Sequence, residues 1–264
     1  MIIATVSLNQ IWENKKENLL LCEEYINKAS NENVDLIIFP EMTLTGFSTN
    51  IRLIAEDEKN NESILQFSSL AKKYNIAIIF GVVMRDDNKA LNKSIFVDKS
   101  GNTQAKYSKI HPFSFSGEDK YFNGGSDLEV VKFNDINIGL TICYDLRFPE
   151  LYSVLSIKSD IIINIANWPQ KRVDHWNTLL KARAIEGQIF IIGVNRTGED
   201  GNNLIYQESS NIFNANGERV EYISFKDMKI FKISKEFTNN YRNNFNTIND
   251  RKIKLYKELF NVEK

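Results

Sequence analysis

Short apolar runs with almost no polar interruption alternate along this chain with longer segments in which apolar residues recur every three to four positions. The runs at 2–8, 34–39, 76–83, 94–97, 128–133, 136–142, 160–166, 189–194 and 204–213 are rich in β-branched and aromatic residues and predict strands. The segments 13–29, 63–74, 148–157 and 174–186 predict helices between them. In the first helix Leu19, Cys22, Ile26 and Ala29 share one face while Glu17, Glu24 and Lys28 point elsewhere, so Cys22 reads as core filler. The stretch 161–165 is apolar almost without alternation, which requires burial on both faces and helices packed over the sheet. A layered α/β sandwich follows.

Neither a Pro/Gly/Ser-rich linker nor an internal repeat divides the 264 residues, so one domain over 1–264 is expected. Its C-terminal extension, from about 240 to 264, is charged and amphipathic, and either packs on the domain or reaches a neighbouring subunit. A net charge of −1 provides no positive field for a phosphate backbone, which argues against nucleic acid as a partner. The longest apolar runs fall far short of the roughly 20 residues that cross a bilayer, so no membrane span is expected. The opening residues Met1 to Leu8 suit a strand better than a secretion signal, and a cytoplasmic location is expected. In a reducing compartment both cysteines, Cys22 and Cys143, would be free thiols.

Cys143 ends the apolar run Ile138-Gly-Leu-Thr-Ile-Cys143 and is followed by Tyr-Asp-Leu-Arg-Phe-Pro-Glu, the pattern of a buried strand turning sharply into a helix. Open α/β folds build their sites at such carboxyl edges, which makes the thiol a candidate nucleophile. Phe39-Pro-Glu41 offers a carboxylate and Tyr107-Ser-Lys109-Ile-His-Pro a cation at two other strand ends. A lone acid or lysine of this kind usually sits in solvent and a lone buried cysteine usually packs, so their joint pattern carries the argument. Lys109 beside Cys143 would favour the thiolate and, as a donor, steady the oxyanion of a tetrahedral intermediate. The N–H of Tyr144, at the start of the turn, is a natural second donor. Glu41 would carry the proton from the thiol to the departing nitrogen.

The segments 39–47, 107–113 and 142–150, in this order, resemble the three motif regions of the nitrilase superfamily of carbon-nitrogen hydrolases, a likeness that runs from the first strand to about Val220. The resemblance implies a four-layer αββα sandwich, with Glu41 as general base, Lys109 as oxyanion stabiliser and Cys143 as nucleophile. It also implies a second glutamate after the lysine, and Glu118 occupies that place. It requires no cofactor and no metal, and implies a homodimer paired through a helical face.

Within the superfamily, the segments 166–176, 182–188 and 194–202 look most like the omega-amidase branch, whose members release ammonia from 2-oxoglutaramate or 2-oxosuccinamate. Sister activities are N-carbamoyl hydrolysis, nitrile hydrolysis and acyl transfer. A non-catalytic binding protein or a redox-sensing thiol protein would be the readings from other classes. A carboxylate-bearing amide needs a cation at its far end, and Arg172 is the candidate, with Arg196 in reserve. Arg147 is expected in a structural ion pair. Phe113, Tyr121 and Trp168 are expected as an apolar wall that keeps the site dry. His111 and His175 are expected in supporting roles, and Gly124-Gly125 reads as a loop without the spacing of a nucleotide-binding motif.

Overall fold

The computed structural model of the protein describes residues 1–261. Its first half contains β1 (Ile2–Val6), α1 (Lys15–Asn31), β2 (Leu36–Ile38), α2 (Ile51–Ile54), α3 (Glu62–Tyr74), β3 (Ala77–Asp86), β4 (Lys89–Val97) and β5 (Thr103–Ser108). Then come β6 (Val130–Phe133), β7 (Ile136–Ile142), α4 (Pro149–Lys158), β8 (Ile161–Ala166), α5 (Val173–Gly187) and β9 (Phe190–Asn195). The chain continues through β10 (Gly198–Glu199), β11 (Ile205–Tyr206), β12 (Asn211–Phe213), β13 (Tyr222–Phe225) and β14 (Met228–Lys232), and ends in α6 (Lys235–Asn244) and α7 (Ile253–Phe260).

Two sheets form, of order β13-β14-β1-β2-β3-β4-β5 and β12-β9-β8-β7-β6, and β10 pairs separately with β11. β1, β2 and β3 run parallel in the first sheet, as do β7, β8 and β9 in the second. Strand periodicity assigns the faces of the first sheet. Ile3, Leu36, Ile38, Ala77 and Ile79 join the cluster shared with the second sheet, whereas Ala4, Ile37, Ile78 and Phe80 face Cys22, Ile26 and Ala29 of α1 and Phe67 and Ala71 of α3. α4 and α5 cover the second sheet with Leu155, Trp176 and Leu180. The result is the four-layer αββα sandwich, and Cys22 lies in its core.

Several boundaries differ from the sequence reading for physical reasons. The strand expected at 204–213 breaks into β11 and β12, because the intervening Gln207-Glu-Ser-Ser210 turns into side-chain hydrogen bonds instead of a ladder. β5, β13 and β14 lack a continuous apolar run. In β5 only Ala105 and Tyr107 point inward, and β13 is an exposed edge. Among its described residues, the C-terminal extension returns to its own domain. Arg242 donates to the carbonyls of Ser156, Gly187 and Gln188, and Arg251 to those of Ser153 and Glu186. The last three residues of the expected extension lie outside the described residues.

Candidate active site

The parallel strands β2, β7 and β8 end at one place between the sheets, and each delivers a polar segment there, as carboxyl edges of parallel strands do. After Ile142 the backbone turns abruptly. Cys143 takes φ +46°, a left-handed conformation that costs a non-glycine residue of order 1–3 kcal/mol unless its surroundings impose it. Asp145 imposes it. One carboxylate oxygen accepts from the Ile142 N–H at 3.0 Å and the Tyr107 hydroxyl at 2.7 Å. The other accepts from the His111 N–H at 3.1 Å and lies 2.8 Å from His111 Nδ1. A single buried acid thus ties the cysteine turn to the end of β5, where Lys109 stands. Pro149 then opens α4 at a position where its missing N–H costs nothing.

Glu41 sits in the turn after β2. Gln10 donates to the carbonyls of Glu41, Met42 and Thr43 at 2.9–3.1 Å and fixes that turn from the side. Beneath it lies Gly81 of β3, where an added Cβ would fall 2.2 Å from the Met42 nitrogen, so the turn can lie on the strand only over a glycine. Lys109 follows β5, and its N–H donates to the Asn92 carbonyl at 2.9 Å. Gly124-Gly125 is more than a loop feature. The Gly125 N–H donates to the Lys109 carbonyl, and Cβ atoms at 124 and 125 would meet the carbonyl oxygens of Ile110 and Ser108 at 2.6 and 2.5 Å, so these glycines let a second strand of chain press against the backbone that carries the lysine.

The side chains of Glu41, Lys109 and Glu118 converge. Lys109 Nζ donates to Glu41 Oε1 at 2.9 Å and to both oxygens of Glu118 at 3.0 and 2.9 Å, and all three side chains are at most 1% exposed. Glu41 Oε2 accepts from the Asn167 N–H at 2.8 Å, and the carbonyl of the same Asn167 lies 3.9 Å from Cys143 Sγ. Glu118 also accepts from the Phe113 N–H at 2.5 Å. Burial works against the charge on Lys109, yet Glu118 and then Glu41 outweigh it and raise the lysine above its ordinary pKa, so it is an ammonium. Burial pushes the Glu118 carboxyl up, with Lys109 pulling back.

For Cys143 the electrostatic balance favours one of the two routes open to a thiol, proton removal during attack over a resting thiolate. Burial and the nearby Glu41 push the thiol well above its ordinary value, and Lys109 only partly opposes them. The resting group is therefore the neutral thiol, so any attack needs its proton removed as the bond forms.

Over the sulfur lies a narrow cavity of about 30 Å³ lined by Phe113, Tyr144, Arg147, Asn167, Trp168, Pro169 and Arg172. The Arg147 guanidinium stands 4.8 Å from the Trp168 ring and that of Arg172 5.6 Å from the Phe113 ring. Trp168 is held from behind. Its N–H and C=O bond the Asn195 side chain at 2.7 and 2.9 Å, and its indole donates to the Arg172 carbonyl.

The remaining expectations are sorted by position. Arg147 lies on the cavity and is not in an ion pair: among the described residues neither it nor Arg172 has a carboxylate within 4.0 Å. The reserve residue Arg196 is not among those lining the cavity. It is fully buried, donates to the carbonyls of Gln10, Thr197 and Glu199, and braces the loop after β9. Tyr121 is exposed in a separate surface groove near Arg85 and is no part of the wall. His111 serves Asp145 and stacks on Phe148, while the exposed His175 lies 3.4 Å from Arg147. No cluster of three metal-ligating side chains occurs among the described residues, and none of their helices is long and apolar enough to cross a membrane.

Three residues escaped the sequence reading: Asn92, Asp145 and Asn167. Each is a short polar residue in or beside an apolar run, a position where it must either find partners or destabilise the fold, and that was the available signal.

The chain matches the carbon-nitrogen hydrolase family over residues 2–231. It is 32% identical over 263 residues to a hydrolase in the agr operon of Staphylococcus aureus, covering 97% of this chain and 100% of that one. It is 34% identical over 209 residues to an omega-amidase of Yersinia enterocolitica, covering 79% of each. Among solved structures it superimposes on a CN-hydrolase superfamily protein of Xanthomonas campestris with a TM-score of 0.87 and 27% identity, over 95% of this chain and 97% of the other.

Proposed function

The chain belongs to the carbon-nitrogen hydrolase family, and on that premise we propose that it is a thiol-dependent amidase, specifically an omega-amidase that releases ammonia from a small carboxylate-bearing amide such as 2-oxoglutaramate or 2-oxosuccinamate. The observation that carries the reading is the pairing of two features across one cavity. A buried acid–ammonium–thiol cluster lies on one side, and two guanidiniums without carboxylate partners among the described residues lie on the other. Similarity to the Yersinia enterocolitica omega-amidase supports the choice of substrate class.

In this reading Glu41 accepts the Cys143 proton as Sγ attacks the amide carbon. The carbonyl oxygen becomes an oxyanion that receives hydrogen bonds from the Tyr144 N–H and from Lys109 Nζ, which gives up one of its three contacts with Glu41 and Glu118 to do so. Glu41 passes its proton to the amide nitrogen, the C–N bond breaks, and ammonia leaves behind a thioester on Cys143. Water, deprotonated by the same carboxylate, then attacks the thioester, and the carboxylic acid and the free thiol are regenerated. Glu118 holds the ammonium in place and balances its charge throughout.

Arg172, with Arg147 beside it, would bind the far carboxylate, and a planar guanidinium offers two parallel hydrogen bonds to it. The cavity is narrow and these long side chains form its outer wall, so a five-carbon substrate enters by displacing them. Pairing into a homodimer and a cytoplasmic location belong to the same reading. Exposed Val154 and Ile157 on α4, Ile185 on α5 and Leu259 and Phe260 on α7 supply an apolar helical face for the former.

The test is ammonia release from a panel containing 2-oxoglutaramate, 2-oxosuccinamate, N-carbamoyl amino acids and simple nitriles, with trapping of the acyl group on Cys143 by mass spectrometry. Turnover of the 2-oxo amides with a Cys143 adduct is expected. Turnover of only carbamoyl or nitrile substrates would move the protein to a sister activity, and turnover with no adduct under any trapping condition would remove covalent catalysis.

A further inference from the structure

Asn92 of β4 bonds both carboxylates beside Lys109 and the backbone of Lys109 itself, although nothing in its chemistry is reactive. Its side chain is buried, and its amide nitrogen donates one hydrogen to Glu41 Oε1 at 2.8 Å and the other to Glu118 Oε1 at 3.2 Å. Its backbone carbonyl accepts from the Lys109 N–H at 2.9 Å. The amide oxygen Oδ1 has no hydrogen-bond partner among the described residues, so the donor half of the group is the half in use. A buried amide with an orphaned acceptor is costly, and bulk alone would be supplied better by leucine.

The two oxygens of Glu41 are unequally occupied. Oε1 accepts from both Lys109 and Asn92, whereas Oε2 accepts only from the Asn167 N–H. A carboxylate oxygen accommodates about two hydrogen bonds, so Oε1 is filled and Oε2 keeps one vacant lone pair. Asn167 links that oxygen to the sulfur through its own backbone, N–H to Oε2 and C=O toward Sγ.

We propose that Asn92 is a positioning residue that, together with Lys109, fills Oε1 of Glu41 and leaves Oε2 to take the Cys143 proton. The proposal rests on Glu41 being the proton acceptor. The ionisable groups facing Glu41 are Lys109 from the end of β5, Glu118 from the turn that follows, and Cys143. Two carboxyl groups face one ammonium, and a neutral double donor contacts both without adding another charge. Losing a donor disfavours the charged form of any carboxylate, so variants without the amide should transfer the thiol proton only at higher pH.

The experiment measures the rate of Cys143 alkylation by iodoacetamide as a function of pH, a readout that requires no amide substrate. Asn92→Leu removes both donors at similar bulk, and Asn92→Asp keeps the shape while replacing the amide nitrogen with oxygen. In both, the acid limb of the profile should move up by about one pH unit or more, giving alkylation about tenfold slower on that limb. In Glu41→Gln that limb should be lost, leaving only the rise at high pH set by the thiol's own ionisation. If the Glu41 variant keeps the wild-type profile, the reading of Glu41 as base fails, whatever Asn92 does. The Asn92 assignment itself is overturned if a folded variant keeps its acid limb at the wild-type pH, if its rate falls by the same factor at all pH values, or if neither variant folds.

Discussion

The two sides of the cavity are built in opposite ways. On the floor, Glu41, Lys109 and Glu118 are buried, each receives or donates several hydrogen bonds, and the backbone beneath them is fixed by glycine contacts and a left-handed cysteine. On the rim, Arg147 and Arg172 carry guanidiniums that have no carboxylate partner among the described residues and rest against aromatic rings. The floor has its electrostatics arranged before any substrate arrives, which is where preorganisation lowers a barrier most. The rim keeps its charges available, which is what the proposed binding of a substrate carboxylate would require. A protein divided in this way can change its substrate by altering the rim while the chemistry on the floor stays the same.

Four measurements would break or sharpen that contrast. The largest effect is expected at the sulfur: Cys143→Ala should fold normally and lose ~10⁴-fold or more of its amidase activity, by the scale seen when nucleophiles are removed elsewhere. Activity retained within tenfold would end the assignment of the floor. Next comes Lys109→Met, which should abolish turnover and also lower stability by ~3–5 kcal/mol, since it leaves two buried carboxylates facing each other without the ammonium. An unchanged melting temperature would mean the floor is less tightly built than its distances imply.

The rim should behave differently. Arg172→Ala should raise KM for a carboxylate-bearing amide by ~10- to 100-fold with little change in stability, because a hydrogen bond to a charged group contributes ~1.5–3 kcal/mol. It should affect a neutral amide much less, and Arg147→Ala should follow the same pattern more weakly. Equal losses on charged and neutral substrates would erase the division of labour. The smallest effect concerns pH. Burial keeps Cys143 protonated in the folded state above the pH at which an unfolded thiol ionises. Its stabilising contribution is therefore complete below about pH 8.5 and is lost as pH rises toward the folded value, by up to ~1.4 kcal/mol per pH unit. Denaturation midpoints between pH 8 and 10 should fall more steeply in the native protein than in Cys143→Ala, and parallel slopes would contradict the buried neutral thiol.

The fold class could be read from the chain because nearly every central strand is apolar on both faces, and periodicity reports burial directly. The edge strands could not. β5 and β13 alternate with polar or exposed residues, and their pairing is a tertiary fact. At the site, Glu41, Lys109 and Cys143 stood out because motif segments surround them, and the structure brings them together. The supporting residues did not stand out, since Asn92, Asp145 and Asn167 act mostly through partners 24 to 126 positions away in the chain. Arg147 was misjudged for a related reason: its neighbours in sequence suggested a structural pair, while its neighbour in space is an indole face. How far Lys109 offsets burial at the thiol was not legible, because a nearby cation is visible in a motif and the depth of burial is not.

Gly81 and Gly125 contribute no functional group, yet a single methyl at either would collide with the main chain that carries the acid or the ammonium. Random mutagenesis scored by activity would therefore find its least tolerant sites partly at residues that never meet a substrate. An engineer reshaping this enzyme should treat those two bare positions as fixed and spend variation on the arginines above them.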